Sequence, residues 1–291
     1  MSMGGAERLA YRFAIASQGE FRSVFACLDS LGNVNDHGDE FPFAITSLRR
    51  KPGFDISCGR RFRDFLRTHG VAIVHAHQYA PFFYSALARL HRSCPPILFT
   101  EHGRDYPDYR RFKRVCANRL LLRRKDRVIA VGKRVRDALI NLEGIRPARI
   151  EVVYNGTNVS AFDAERSVRG EVRKELGLSN RQPVVIQVAR INRLKDYGTS
   201  IRAIQKLARS LPDVVLLVVG DGECRDEIET QIEQLNLRQY VRLLGTRRDV
   251  NRLLQAADAF LLTSITEGIP LTLVEAMSTG LPCVSTDLGG V

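Results

Sequence analysis

The 291 residues carry no sign of a disulfide framework or a thiolate metal site. Their six cysteines, at 27, 58, 94, 116, 224 and 283, form no C-x-x-C pair and do not cluster with histidine. They read as small apolar residues of a reducing compartment. No apolar run approaches the ~20 residues that cross a bilayer; the longest, VVLLVV at 214–219, has the length of a buried strand. Glu7, Arg8 and Arg12 stand where a secretory signal needs an apolar stretch. Repeats and low-complexity tracts are absent as well. These absences exclude secreted and membrane-spanning classes and predict a cytoplasmic protein.

Acidic residues are scarce in one place above all. The net charge is +12, and ten of the basic residues fall between 104 and 127, where only Asp105, Asp108 and Asp126 oppose them. Phe112, Val115, Cys116 and Leu120 recur there at helical spacing, which predicts a basic amphipathic helix. Such a helix is either a solvated face or a surface for anionic membrane or polyanion. With its apolar stripe in the core, the expected membrane attraction is peripheral and reversed by salt.

The length allows two domains, each able to bury a core. Short apolar runs alternate with helical patterns: Val71–His75, Ile97–Thr100, Arg127–Val131, Ile150–Val153, Val184–Val188, Val214–Val219, Val241–Leu244, Ala259–Leu262 and Cys283–Ser285. Strand–helix alternation with fully apolar strands predicts α/β architecture with parallel sheets covered on both faces. The expected organisation is two Rossmann-like domains, 1–156 and 183–291, around a polar linker at 157–182.

The most informative stretch is EGIPLTLVEAMSTGLP at 267–282. Glu267 and Glu275 bracket seven residues. Pro270 suits the first position of a helix and Gly280 its stop. The backbone around Gly268, Ile269, Pro270, Leu271 and Thr272 then offers unpaired amides and the positive end of a helix dipole, an arrangement that binds anions and phosphate above all. Glu275 follows Leu271 by four residues and shares its face, so its carboxylate needs a partner such as a sugar diol.

This element, continued by A-M-x-x-G-x-P-x-V-x-T, resembles the signature of the retaining GT-B glycosyltransferases of family 4, which use nucleotide-diphosphate sugars. VARINRLKDY at 188–197 resembles that family's G-R-L-x-x-x-K segment, with Arg190 and Lys195 five apart. VVGDGE (218–223), LLGTRRDVNRLLQAADAFLLTS (243–264), VVYNGTN (152–158), GGAER (4–8), VHAHQ (74–78) and TEHG (100–103) follow in the family's order. The resemblance implies an acceptor-side domain first and a donor-binding domain second, with sheets facing across a cleft. Against that pattern both ends look cut: little precedes Gly4-Gly5, and the chain stops at Val291.

The resemblance also assigns roles. Arg190 and Lys195 would hold the departing diphosphate together with the helix amides. These positive features stand where other sugar transferases use a divalent metal; no D-x-D triplet occurs, and no metal or cofactor is expected. Glu275 would take the ribose diol, and Glu267 the donor sugar. His102 would face the donor sugar or its phosphate, and His77 the acceptor. Gly5 would let backbone approach the diphosphate, and Arg247 with Thr246 would meet the base, chiefly through backbone. The expected reaction transfers a sugar to a glycan or lipid-linked acceptor with retention. Two alternatives stay open: a non-catalytic nucleotide-binding remnant of such an enzyme, and a nucleic-acid-binding protein. The second has no helix-turn-helix, zinc-ligand spacing or aromatic RNA motif behind it.

Overall fold

The computed structural model describes residues 5–30, 42–89, 95–104, 106–159, 162 and 168–288. The chain divides into two compact units, Met1–Tyr154 and Asn155–Val291.

The first unit opens with α1 (Gly5–Ala16), followed by β1 (Val24–Cys27) and β2 (Ala44–Ser47), which pair in parallel. Then come α2 (Ile56–Thr68), β3 (Val74–His77), α3 (Tyr79–Ala88), β4 (Ile97–Glu101), α4 (Phe112–Leu121), β5 (Arg127–Ala130), α5 (Lys133–Asn141) and β6 (Ile150–Val152). Strands β3-β4-β5-β6 form a parallel four-stranded sheet in chain order, distinct from the β1-β2 pair. β3 begins three residues later than the expected Val71–His75. Gly70, at φ 59°, ends α2, and the Val71 amide donates back to Leu66 O at 3.0 Å, so 70–72 complete the helix stop and cannot pair in the sheet. The shift moves His77 onto the last strand position.

A buried carboxylate fixes the attitude of α4. Glu143 is 1% exposed and accepts from Arg104 at 2.8 Å, Arg114 at 2.9 Å and the Asn118 amide at 3.1 Å. Arg114 also lies over the Tyr79 ring, 4.3 Å from its centroid. Val115 packs against Gly144, where a Cβ would stand 2.8 Å from Val115 Cγ1. These contacts turn Arg114, Val115 and Asn118 inward. The expected apolar stripe is therefore corrected: Phe112, Cys116 and Leu120 are exposed, and only Val115 of the four is in the core. The helix itself covers ten residues of the basic segment.

The second unit contains α6 (Arg169–Glu175), β7 (Val184–Val188), α7 (Tyr197–Leu207), β8 (Val215–Val219), α8 (Arg225–Gln234), β9 (Val241–Leu243), α9 (Val250–Ala256), β10 (Ala259–Leu262), α10 (Leu271–Ser278) and β11 (Cys283–Ser285). Its parallel sheet has the order β11-β10-β7-β8-β9. Every residue of β8 is buried, as a strand covered on both faces demands. Full burial of each Val or Leu contributes about 1.5–3 kcal/mol. The stretch expected as linker is not wholly a connection. Val172 and Leu178 join the core of this unit, and the fully buried Arg173 donates to the carbonyls of Ala256, Ser179, Asn180 and Gln182 and to Asp258. No helix among the described residues is long and apolar enough to cross a membrane.

Candidate functional site

In the second unit the chain runs outward from β7 through β8 to β9, then returns to the other side of β7 with β10 and β11. The crevice at the carboxyl ends of β7 and β10 is thus a topological switch point, the place where open α/β sheets bind ligands. The segment after β7 carries Arg190 and a 3-10 turn, Arg193–Lys195. The segment after β10 carries Ser264, Glu267 and the entry to α10. The two are laced together: the Ile265 amide donates to Leu194 O at 2.8 Å, and Thr263 Oγ1 donates to the carbonyls of Lys195 and Asp196, both at 3.0 Å. Beneath them Gln187, Ser200 and Thr263 form a buried polar cluster, with Ser200 Oγ 2.7 Å from Thr263 Oγ1. A fully partnered cluster of this kind holds a backbone in one geometry.

On that scaffold Lys195 Nζ and Glu267 Oε1 form a close ion pair, and Ser264 Oγ donates to the same carboxylate oxygen at 2.7 Å. The chain then enters α10 with its first amides open. Those of Gly268, Ile269, Leu271 and Thr272 meet no acceptor among the described residues, and no side chain caps the helix. Pro270, expected at the first helical position, is instead the N-cap, at φ −74° and ψ 105°, one place before the first helical residue Leu271. Gly280 closes the helix as expected: at φ 74° it lets the Leu281 amide reach Ala276 O at 3.2 Å. Glu275 lies within α10 and is 5% exposed.

Arg190 is 3.0 Å from Glu223 and half-exposed. Its backbone is held by the Gly220-Asp221-Gly222 turn after β8. The Ile191 amide donates to Asp221 O at 2.9 Å, while a Cβ on Gly220 or Gly222 would run into the carbonyl oxygen of Ala189 or Ile191. Arg247 is fixed by a two-point bond to Asp249, at 2.8 and 2.7 Å, which holds the Asp249 carboxyl below its ordinary range. Its side chain is already committed, leaving its backbone for any ligand.

In the first unit three histidines line up at the ends of β3 and β4. His75 and Thr100 Oγ1 share a hydrogen bond at 2.8 Å. The His75 ring packs on His77, centroids 4.0 Å apart, and His77 Nδ1 faces His102 Nε2 at 2.8 Å. Burial lowers all three: His75 to about 4, His77 to about 3 with His75 and His102 adding repulsion, and His102 to about 4. The stack is neutral at pH 7. The sequence assigned His77 and His102 to opposite sides of a reaction; the structure makes them hydrogen-bonded neighbours. His102 Nδ1 is buried and meets no partner among the described residues. Gly5 begins α1, with open space where a Cβ would stand. Gly4 lies outside the described residues.

Glu223, Ser264 and Thr100 are the site neighbours that sequence reasoning missed. Each lies within a motif segment, but only tertiary proximity reveals its bond. Within the described residues no group of three or more His, Cys, Asp or Glu could hold a metal ion.

Two parallel α/β units, with a basic pair, a carboxylate and an open helix start at one switch point, define the GT-B glycosyltransferase class. Residues 3–161 match the model of Glycosyltransferase Family 4, and residues 168–291 that of Glycosyl transferases group 1. The chain belongs to glycosyltransferase family 4, a family of enzymes. It is 26% identical to the UDP-Gal:alpha-D-GlcNAc-diphosphoundecaprenol alpha-1,3-galactosyltransferase of Escherichia coli, over 99% of this chain and 77% of that one. It is 28% identical to the N-acetyl-alpha-D-glucosaminyl L-malate synthase of Bacillus anthracis, over 84% of this chain and 64% of that one. The crystal structure of Anabaena HepE in complex with UDP superposes with a TM-score of 0.79 and 25% identity, over 99% of this chain and 78% of that one.

Proposed function

We propose that this chain transfers a sugar from a nucleotide-diphosphate donor to a glycan or lipid-linked acceptor, with retention of configuration. The observation that carries the reading is the Lys195–Glu267 pair at the β7/β10 switch point, followed directly by the open amides of Gly268, Ile269, Leu271 and Thr272. A diphosphate entering there exchanges a carboxylate partner for its own oxygens at Lys195, and gains amide donors and the helix dipole besides. Arg190 adds a second cation from the neighbouring segment. As the anomeric bond breaks, these groups stabilise the departing charge, each by about 1.5–3 kcal/mol. Glu267, released from Lys195, then faces the donor sugar, and Glu275 takes the ribose hydroxyls.

No metal takes part in this proposal, because the cations and amides supply the positive charge. The HepE complex with UDP supports the donor class, and the diphosphoundecaprenol in the E. coli relative's name supports a lipid-linked acceptor. An acceptor of that kind brings the protein to a membrane surface from the cytoplasmic side. The test is a thermal shift with UDP, GDP and ADP, followed by sugar-transfer assays in the presence of EDTA. Stabilisation by one diphosphate and transfer insensitive to EDTA are expected. No shift with any of the three would overturn donor binding; a shift without transfer would leave the non-catalytic remnant.

A further inference from the structure

We infer that Thr263 is a positioning residue for the diphosphate site, aiming Lys195 through the left-handed backbone of Asp196. The inference rests on the proposed role of Lys195 and deepens it by naming what fixes that cation. Thr263 follows β10 directly and is 4% exposed. Its Oγ1 accepts from Gln187 Nε2 at 3.3 Å, which leaves the hydroxyl proton to be shared between the carbonyls of Lys195 and Asp196, both at 3.0 Å. Those carbonyls belong to the two peptide groups on either side of the Asp196 α-carbon. Their relative rotation is the φ and ψ of Asp196, so one hydroxyl sets both angles.

The angles need setting. Asp196 stands at φ 42° and ψ 56°, where a residue with a Cβ persists only if its surroundings over-determine it. Its carboxylate supplies the remaining restraint, accepting from the Thr199 amide at 3.2 Å and from Thr199 Oγ1 at 2.6 Å. Relaxation of Asp196 to the right-handed region would rotate the Lys195 peptide and carry Nζ away from Glu267. The residue after Thr263 serves the other half of the pair. Ser264 Oγ donates to Glu267 Oε1 at 2.7 Å, and the Ser264 carbonyl accepts from Thr286 Oγ1 at 2.6 Å. The dipeptide Thr263-Ser264 therefore holds the backbone of the cation and the side chain of its carboxylate partner in one frame.

A double-mutant cycle, read by calorimetric titration of the full chain with UDP, GDP and ADP, tests this. Thr263→Val keeps the branched shape but donates nothing, and it should weaken the tightest of the three by about tenfold. Thr263→Ser should restore wild-type affinity. On a Lys195→Ala background Thr263→Val should cost nothing further, because its effect passes through that side chain. A hydroxyl that merely stabilised the fold would give additive losses instead. Asp196→Ala should behave as Thr263→Val does, whereas Asp196→Asn, which tolerates the left-handed region, should bind as wild type. Circular dichroism checks that each variant folds, and the Asp196 pair decides should Thr263→Val not fold. Wild-type affinity in folded Thr263→Val or in Asp196→Ala, no recovery with serine, or additive losses in the double variant would each overturn the inference. Wild-type affinity in Lys195→Ala would overturn the diphosphate site and this inference with it. A loss at Lys195 with none at Thr263 would count against the inference alone.

Discussion

His77 Nδ1 faces His102 Nε2 at 2.8 Å, and only one of these two nitrogens can carry the proton between them. The tautomer of one ring therefore dictates that of the other. Whatever His102 presents at its buried Nδ1 is set from the end of β3, with His75 packed behind.

The histidines give the first prediction. Their folded pKa values lie below the ordinary 6.5, at about 4, 3 and 4 for His75, His77 and His102. The unfolded chain thus binds protons that the folded unit does not. Stability of the first unit should be greatest above about pH 6.5 and fall as pH drops from there toward 4, levelling once the folded rings protonate. Ring-proton NMR should show midpoints near 3–4 for the stack. Ordinary midpoints near 6.5 would mean the rings are solvated and the stack is not held.

Lys195 and Glu267 give the second. Lys195→Ala and Arg190→Ala should each weaken nucleotide diphosphate binding by tenfold or more, since each removes a charge-assisted bond worth about 1.5–3 kcal/mol. Glu267→Gln should act in the opposite sense on binding, freeing Lys195 for phosphate, while transfer falls. Calorimetric titration with the diphosphate separates the two effects. Wild-type affinity in both cation variants would remove the switch point as the diphosphate site.

Glycines test the scaffold. Gly220→Ala and Gly222→Ala should each destabilise the second unit by about 2 kcal/mol or more, because the new Cβ meets backbone oxygen that cannot move aside. Gly5→Ala should be neutral for stability, since the space around it is open. Urea denaturation distinguishes these outcomes. A tolerated Gly222→Ala would show that the Arg190 segment is looser than its hydrogen bonds indicate.

Glu143 tests the attitude of α4. Glu143→Ala leaves Arg104 and Arg114 without their shared carboxylate, and losing a buried partner costs about 3–5 kcal/mol. Denaturation of the variant should show a loss of that order. A loss below 1 kcal/mol would mean that Val115 and Gly144 alone seat the helix.

Much of this was legible in the sequence for a physical reason. Strands covered on both faces are mostly apolar, so Val184–Val188 and Ala259–Leu262 could be read to the residue, with Gln187 the one polar member, bonded to Ser200 and Thr263. The stop at Gly280 is a local backbone demand. Lys195, Glu267 and the helix start are carried by motif spacing, which survives because strand and loop lengths fix it.

What only the tertiary structure decided depends on partners far apart in the chain. No local pattern tells that Glu143 would claim Arg114 and Asn118, and so the apolar strip of α4 was placed on the wrong face. The meeting of His77 with His102 needs β3 and β4 in register, with His77 beside Thr100. The occupation of Lys195 by Glu267 needs β7 and β10 side by side, although their residues are 72 apart in sequence. Composition and periodicity determined the elements and the class of chemistry. The rotation of each element, and hence which charged groups meet, was settled by buried polar atoms finding partners, a requirement that acts only once the chain has folded.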